Sequence, residues 1–306
     1  MCGAKRCEGE RGVCGAGADM LVARAALHFW EEPPLSGERG SGAVFFSNCS
    51  LRCSYCQNAA IAAGEAGIAV SVERLADILL EQQERGALNI NFVTPTHYEL
   101  RIIDAVARAR ARGLRIPIVW NTSSYETVRA VRALAGTVDV YLADFKYASA
   151  ETARAFSHAA DYPQVALAAI DEMVHQVGKP QTDEVDCAPR MTRGVIVRHL
   201  ILPGHIDESK RAIALLYERY GNDVVLSIMN QYTPLLVDEA HAGQAWAASV
   251  LKRYPELAER VSDEEYDDVL DFADELGIED YFWQEGPAAE ESFIPVWDGT
   301  GVLPSE

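Results

Sequence analysis

Residues 44–58 read Val44-Phe45-Phe46-Ser47-Asn48-Cys49-Ser50-Leu51-Arg52-Cys53-Ser54-Tyr55-Cys56-Gln57-Asn58. A short apolar strand runs directly into Cys49, Cys53 and Cys56, which are spaced C-x3-C-x2-C. A four-iron, four-sulfur (4Fe-4S) cluster normally takes four cysteine ligands. A cluster held by these three thiolates alone keeps one iron open, and an open iron binds a further ligand.

Zinc is the alternative metal for this cysteine loop. Close cysteine pairs also form structural zinc sites, but such sites are closed by four ligands. No C-x2-C or H-x3-H pair follows Cys56 in the sequence. The open cluster is the favoured interpretation, and a zinc-structured protein stays as the alternative.

The totals favour a globular protein of the cytoplasm. A chain of 306 residues with 49% apolar residues buries a substantial core, as one large α/β domain or two smaller ones. We see no apolar run of about 18 residues, the length that a membrane span needs, and no secretory signal at the N-terminus. The seven cysteines are crowded toward the N-terminus, which is typical of metal ligands in a reducing compartment.

The net charge of −19 argues against nucleic acid as a partner, because neutralising phosphates requires clustered Lys and Arg. Much of the negative charge is local. Residues 256–291 contain fifteen acidic residues and one basic residue, Arg260. We interpret this segment as a solvated surface, with a docking face for a basic partner as the alternative.

The N-terminal residues 1–42 are predicted to form a cysteine-rich extension. Cys2, Cys7 and Cys14 are spaced C-x4-C-x6-C. They either bind a second metal, with Cys187 or a non-cysteine group as fourth ligand, or are free thiols. The apolar run at residues 20–30 is interpreted as a buried connector that packs against the core.

From residue 44 onward, apolar β-type runs alternate with amphipathic helical patterns, which predicts a parallel sheet of βα units. After the first strand, which begins at residue 44, the predicted strands are 89–93, 116–120, 138–144, 194–201 and 224–229. The predicted helices begin with one that Ser71 caps and Gly86 ends, and continue with 99–112, 124–134, 150–160, 163–177 and 207–220. The polar segment 178–193 is predicted to be a surface loop.

Six βα units fall short of the eight of a full barrel, so we expect an α/β fold with an open, partial (β/α)6 barrel. This barrel would span residues 43–234. Residues 235–306 would form an acidic C-terminal segment that packs on it. Within that segment, Ser262 and Glu265 predict a capping box, and the apolar residues 293–297 are predicted to pack back on the barrel.

Polar residues follow every predicted strand, at the carboxyl ends where ligands gather in parallel α/β sheets. A set this polar is hard to explain by packing alone. After the cysteine loop, the set consists of Thr94, Thr96, His97, Asn121, Thr122, Ser123, Ser124, Asp144, Lys146, Arg198, His199, His205, Asn230, Gln231 and Tyr232.

The cysteine loop, including Tyr55 before the third cysteine, resembles the signature of the radical S-adenosylmethionine (SAM) enzymes. In that superfamily the amino and carboxylate groups of SAM chelate the open iron, and the fold is a partial barrel. The chain also resembles the pyruvate formate-lyase activating enzyme group, in its uncharacterised homologue branch. Residues 12–15, 30–33, 91–97 and 293–295 also carry the resemblance.

The resemblance implies cofactor contacts beyond the cysteines. Asp144 and Lys146 resemble the D-x-K pair that lies near SAM in the activating enzymes. Arg198 resembles a residue in the segment that forms the fifth strand of those enzymes. The usual Gly-Gly-Glu, which holds the SAM amino group, is replaced by Thr94-Pro95-Thr96. Backbone carbonyls and the hydroxyls of Thr94 and Thr96 are able to accept from an ammonium group.

Tyr55 and Asn121 complete the set of expected cofactor contacts. Each candidate also has a structural alternative. Asp144 and Lys146 would form a plain ion pair, Arg198 would pair a core carboxylate, and Asn121 would cap the following helix. The structural alternative is the preferred interpretation for the histidines, namely His97, His199 and His205.

The resemblance implies an enzyme with a 4Fe-4S cluster and SAM as cofactors and with an electron donor, such as a flavodoxin or ferredoxin, as partner. Reductive cleavage of SAM gives methionine and a 5′-deoxyadenosyl radical that abstracts a hydrogen atom. In the activases this atom comes from a glycine of a glycyl-radical enzyme. A small molecule or another protein modification is an alternative, and a non-catalytic iron-sulfur carrier or zinc-structured protein is the alternative from a different class.

Overall fold

The computed structural model describes residues 3–284 and 294–304. Within them, ten strands form one sheet with helices between most of the strands. The strands are β1 (Met20–His28), β2 (Ser41–Phe46), β3 (Ile68–Val70), β4 (Ile90–Val93), β5 (Ile118–Thr122), β6 (Val140–Asp144), β7 (Gln181–Val185), β8 (Ala188–Leu200), β9 (Val225–Met229) and β10 (Tyr281–Phe282). The helices are α1 (Pro33–Ser36), α2 (Ala59–Ala63), α3 (Val72–Glu84), α4 (Glu99–Ala111), α5 (Val128–Ala133), α6 (Ala150–Ser157), α7 (Tyr162–Val177), α8 (Ile206–Tyr220), α9 (Leu235–His241), α10 (Ala245–Arg253) and α11 (Asp263–Glu275).

The sheet is mostly parallel, as the alternation of patterns predicts. The strand order is β10-β9-β8-β6-β5-β4-β2-β1-β3, with β7 paired to β8. All neighbours from β2 to β10 along this order run parallel. The prediction of an α/β fold is confirmed, and the six predicted strands correspond to β2, β4, β5, β6, β8 and β9.

The prediction of a connector at residues 20–30 was wrong, because residues 20–28 form β1. This strand pairs antiparallel with both β2 and β3. Met20, Val22, Ala23 and Ala25 are all buried, so residues on both faces of the strand are apolar. A continuous apolar run of this kind does not reveal its period, which is why the sequence pattern did not identify a strand.

The prediction of a surface loop at residues 178–193 was also wrong. β7 and the first half of β8 form an antiparallel hairpin. Its two turn residues, Asp186 and Cys187, have φ values of 53° and 62°, as a tight two-residue hairpin turn requires. β7 is exposed along most of its length. Its polar residues therefore lack the apolar alternation by which a strand is recognised.

One face of the parallel sheet, here called the inner face, carries an apolar layer capped by α1. Leu35 of α1 packs there against Val119, Leu142 and Ile196, which lie on β5, β6 and β8. Side chains alternate along a strand with a period of two. The next residues on this face toward the carboxyl ends are therefore Asn121, Asp144 and Arg198, which form a polar layer above the apolar one.

The predicted helix caps are present. The Ser71 hydroxyl accepts a hydrogen bond from Arg74 N over 3.0 Å at the start of α3. Ser262 and Glu265 form the predicted capping box at the start of α11. α5 begins later than predicted, at Val128, where Thr127 is the N-cap residue.

The C-terminal residues return to the inner face. The ring centroid of Trp297 lies 5.2 Å from that of Phe45 on β2, whereas Phe293 lies outside the described residues. The domain boundaries at residues 42/43 and 234/235 stay a prediction. None of the helices in the described part of the chain is long and apolar enough to cross a membrane.

Candidate functional site

The cysteine loop follows the carboxyl end of β2 and is anchored on two sides. Ser54 N donates to Phe156 O over 2.8 Å, and the Ser157 hydroxyl donates to Cys53 Sγ over 3.1 Å. On the other side, the Gln57 side-chain amide donates to the Gln231 carbonyl. The end of α6 and the segment after β9 therefore fix the loop.

The three thiols of the loop lie close enough to influence one another electrostatically. Burial raises the pKa of Cys56 to about 12, and the neighbouring thiols Cys53 and Cys49 add to this. Burial also raises the pKa of Cys49, with Cys53 as a further cause. Because bound iron favours the thiolate form, three clustered thiols with partly exposed side chains fit a cluster site.

The zinc alternative needs four ligands around one ion. In the parts of the chain that are described, no three His, Cys, Asp or Glu side chains are grouped so that they could hold a metal ion. The cysteines of a four-iron cluster have a different task, since each binds a separate iron.

Tyr55 is buried in an aromatic cluster. Its ring centroid lies 5.9 Å from Phe156, 6.3 Å from Tyr232 and 6.4 Å from Tyr147, in edge-on arrangements. The side chain therefore packs the loop against the fold. A contact between Tyr55 and a cofactor stays a prediction.

Arg198 is the centre of the polar layer on the inner face. Its Nε donates to Asp144 Oδ1 over 2.8 Å, Nη1 to Glu31 Oε2 over 3.1 Å, and Nη2 to Asn121 Oδ1 over 2.7 Å. Lys146 Nζ donates to the other Asp144 oxygen over 2.8 Å. The structure thus brings together four of the predicted site residues, and Asn121 lies in this network rather than capping α5.

Glu31 is a member of this network that the sequence analysis missed. Its Oε1 accepts from Asn91 Nδ2 over 2.8 Å and from Asn121 Nδ2 over 3.3 Å, and its side chain is only 6% exposed. The available signal was the pair Glu31-Glu32, placed where the apolar run of β1 ends and two prolines begin. Adjacent carboxylates beside apolar residues are candidates for an interior role.

Burial and neighbouring charges have opposite effects on the pKa values of the acidic groups in this network. Burial raises the pKa of Glu31 and Glu32, although the Arg198 guanidinium opposes this rise. The pKa of Asp144 is below its ordinary value, because Arg198 and Lys146 together outweigh its burial. Asp144 is therefore held in its charged form.

Lys146 connects this network to the cysteine loop. Burial alone would lower its pKa, but Asp144 and Cys53 raise the pKa above its ordinary value. The ammonium group therefore stays protonated between a carboxylate and a thiol. The Lys146 charge is thus within electrostatic range of the cysteine loop.

The segment Thr94-Pro95-Thr96 is held by backbone and side-chain bonds. Thr94 has a φ of 56°, which is unusual for a β-branched residue, and its N donates to Asn121 O over 2.9 Å. The Thr96 hydroxyl donates to Glu126 Oε1 over 2.7 Å. Glu126, a second missed carboxylate, is 3% exposed and also accepts from Trp120 Nε1 over 3.1 Å.

Each of the three histidines named above has a hydrogen-bond partner. His97 Nε2 lies 2.8 Å from Ser47 O, and burial lowers the pKa of His97 to about 4. His199 contacts Phe145 O at 2.7 Å through Nδ1. His205 Nε2 lies 3.2 Å from a Glu256 carboxylate oxygen.

The N-terminal cysteines are not drawn together with Cys187. Cys14 is buried, and its Sγ accepts from Arg6 Nη2 and Ala16 N, both over 3.4 Å. Cys7 is exposed, and Cys2 lies outside the described residues. The structure contradicts Cys187 as a fourth ligand, because the hairpin carries it beyond the amino end of the sheet, whereas Cys14 lies near the loop at the carboxyl end of β2.

The sequence profile of the radical SAM superfamily matches residues 43–216, which is more than half of the chain. The chain belongs to the radical SAM superfamily. Members of this superfamily normally use a 4Fe-4S cluster and SAM, and the matched residues include the cysteine loop and the whole Arg198 network except Glu31 and Glu32.

Two known proteins are similar to the chain. The uncharacterized protein MJ0674 of Methanocaldococcus jannaschii is 27% identical over 281 residues, which cover 89% of this chain and 72% of that protein. The crystal structure of Streptococcus suis SuiB bound to precursor peptide SuiA is similar in fold, with a TM-score of 0.50 and 13% sequence identity. That match covers 77% of this chain but only 46% of the SuiB chain.

Proposed function

We propose that this protein is an enzyme that reductively cleaves SAM at a 4Fe-4S cluster bound by Cys49, Cys53 and Cys56. One observation carries the proposal. The three cysteines of a radical SAM chain share one anchored loop, and the buried pair Asp144 and Lys146 is near enough for Cys53 to raise the pKa of Lys146. A loop that only carried electrons would not need a buried, charged pair near its thiols.

The residues of the site have separate tasks in this proposal. When bound and reduced, the cluster and SAM supply a 5′-deoxyadenosyl radical. Lys146 and Asp144 offer a cation and an anion to the charged ends of SAM, and Arg198 holds Asp144 in place. The protein orients the cofactor and excludes water, while the bond cleavage belongs to the cofactor itself.

The remaining predicted contacts complete the cofactor site. The backbone of Thr94 and Tyr55 supplies polar groups, and Asn121 reaches the site beside Arg198. The Thr96 hydroxyl donates to Glu126, and this bond holds the segment Thr94-Pro95-Thr96 at the cofactor site. We also propose that the parallel strands form the partial (β/α)6 barrel, with residues 1–42 and 235–306 as extensions.

The proposed cluster site is tested by anaerobic reconstitution with iron and sulfide. We expect a 4Fe-4S signal by electron paramagnetic resonance in the reduced wild-type protein and its loss in Cys53→Ala. Cys187→Ala is the matched control, because Cys187 lies on the remote hairpin, and this variant is expected to keep the full signal. A complete cluster in Cys53→Ala would contradict the ligand assignment.

For the substrate, the resemblance to activating enzymes supports a glycine on a partner protein, with a flavodoxin or ferredoxin as electron donor. The test is to mix the reduced enzyme and SAM with candidate glycyl-radical enzymes and to record the glycyl signal. 5′-Deoxyadenosine formed without a protein radical on any candidate would contradict the activase subtype and support a different substrate.

A further inference from the structure

A half-open cavity of about 160 Å³ lies between β1, β2 and Pro295 of the C-terminal segment. This volume is close to that of a cavity known to hold a benzene-sized group. Its described lining mixes aromatic, apolar and basic side chains. The lining residues are Arg24, Ala26, Leu27, His28, Phe29, Trp30, Phe45 and Pro295.

Arg24 supplies the positive charge of this cavity. Its Nη1 donates to Asp298 Oδ1 over 3.0 Å and to Val296 O over 3.2 Å. Among the described residues these bonds involve Nη1 alone, so the edge formed by Nε and Nη2 is left for a ligand. A guanidinium edge of this kind matches the two oxygens of a carboxylate.

Aromatic rings form part of the cavity wall near Arg24. The Phe45 ring lies 5.8 Å from the His28 ring in an edge-on arrangement, and Trp297 packs on Phe45 at the far side. Burial lowers the pKa of His28 to about 4, with Arg24 and Arg198 as further causes. At neutral pH the cavity thus contains one charged group, the guanidinium, and a neutral imidazole.

The cavity lies on the same face of the sheet as the polar layer, since Phe45 on β2 pairs with Val93 on β4 and Val93 pairs with Asn121 of the network. Phe45 lies on β2, four residues before Cys49, and His28 is near enough to Arg198 to feel its charge. Phe29 and Trp30 of the cavity immediately precede Glu31 in the sequence, and Glu31 accepts from Arg198 in the polar layer. A ligand in the cavity would therefore lie against β1 and β2, on the face of the sheet that carries the polar layer.

We propose that this cavity binds the substrate in the alternative to glycyl-radical activation, and that this substrate carries a carboxylate on a small flat body which Arg24 recognises. The proposal rests on the proposed function, because it makes the bound acid the hydrogen donor. A free aromatic acid and the C-terminal carboxylate of a peptide share this chemistry. The volume accommodates a ring-sized group in either case.

The test uses the full chain as purified and isothermal titration calorimetry with benzoate, benzamide and the peptide Gly-Gly-Phe with a free C-terminus. Benzamide has nearly the same shape as benzoate but no charge. We expect benzoate to bind at least about tenfold more tightly than benzamide, since a charge-assisted bond of a guanidinium is worth that much. Tighter binding of Gly-Gly-Phe than of benzoate would assign the site to a chain terminus, and weaker binding to a free acid.

Two variants make the test specific. Arg24→Gln should weaken benzoate binding by about tenfold or more. Asp298→Asn is the matched control, because it removes the partner of Arg24 without removing the guanidinium, and benzoate binding should stay equal or become tighter. Equal affinity of wild type and Arg24→Gln, or of benzoate and benzamide, would overturn the proposal.

The benzamide comparison and Asp298→Asn keep the test decisive if Arg24→Gln fails to fold. The measurement needs neither reduced cluster nor SAM. Absence of benzoate binding therefore overturns the pocket while leaving the proposed function intact, and absence of SAM cleavage would leave the binding result unaffected.

Discussion

At the scale of single residues, the site is a set of charges placed in a nearly dry interior. Arg198, Asp144 and Glu31 have side chains that are 14%, 13% and 6% exposed. Charges in such surroundings are stable only when each has partners, because desolvation is costly. Each member is therefore positioned by the others, and Glu31 connects residues of β4, β5 and β8.

Glu31→Gln tests this dependence. The carboxylate of Glu31 accepts from Asn91, Asn121 and Arg198, whereas the glutamine amide would turn its NH2 group toward one of these donors. Arg198 would also lose one of its carboxylate partners. Breaking one partner of a buried ion pair costs about 3 kcal/mol. We expect the midpoint of thermal unfolding to fall by at least about 5 °C, as measured by calorimetry.

Glu73→Gln is the control for Glu31→Gln. Glu73 also accepts from two arginines, Arg108 and Arg112, but its side chain is 57% exposed. A surface pair contributes about 1 kcal/mol or less, so the melting temperature should hardly change. Equal losses in the two variants would contradict a special role for the buried network.

The sequence revealed the site residues whose signal is local. The cysteine spacing identifies the loop, and the position of Asp144, Lys146 and Arg198 at strand ends identifies the polar layer. Glu31 could not be found in this way, because it meets Arg198 across 167 residues of chain. Glu126 was missed because it fell within the predicted helix 124–134, although it accepts from Trp120, six residues earlier, as well as from Thr96.

At the scale of elements, the amphipathic helices and the parallel strands were predictable, because their hydrophobic periodicity and their caps depend on residues that are close in sequence. Ser71 and the Ser262 capping box are examples. β1 and the β7–β8 hairpin were not predictable, since one is apolar on both faces and the other is mostly exposed. In both cases the strand is defined by the partner with which it pairs.

The capping box of α11 has a role beyond its own helix. Glu265 Oε2 accepts from Ser262 N over 2.9 Å, and its Oε1 accepts from Gly204 N over 2.9 Å. Gly204 lies in the turn after β8, the strand that carries Arg198. α11 is thereby joined to the carboxyl end of the sheet.

Ser262→Ala removes the hydroxyl that accepts from Glu265 N. We expect a loss of about 1 kcal/mol, together with faster amide hydrogen exchange in α11 and at Gly204. Ser71→Ala is the matched control, because it removes the N-cap of α3 at a similar cost, and it should leave exchange at Gly204 unchanged. Unchanged exchange at Gly204 in Ser262→Ala would show that the capping box does not hold this turn.

At the scale of the whole molecule, β1 and the C-terminal segment complete the inner face around the superfamily's strands. β1 pairs with β2, and residues 296 and 298 bind Arg24 of β1. The similarity to MJ0674 extends over 281 residues, well beyond the matched region 43–216. Residues of β1 and Pro295 of the C-terminal segment line the cavity that contains Arg24.

The central claim is that the cysteine loop supports reductive cleavage of SAM. The most direct measurement is the yield of 5′-deoxyadenosine and methionine after reconstituted protein is mixed anaerobically with SAM and dithionite. We predict that wild type and Cys187→Ala form both products in equal amounts, and that Cys53→Ala forms neither. A fully reconstituted wild-type protein that forms no 5′-deoxyadenosine, or a Cys53→Ala variant as active as wild type, would contradict the claim.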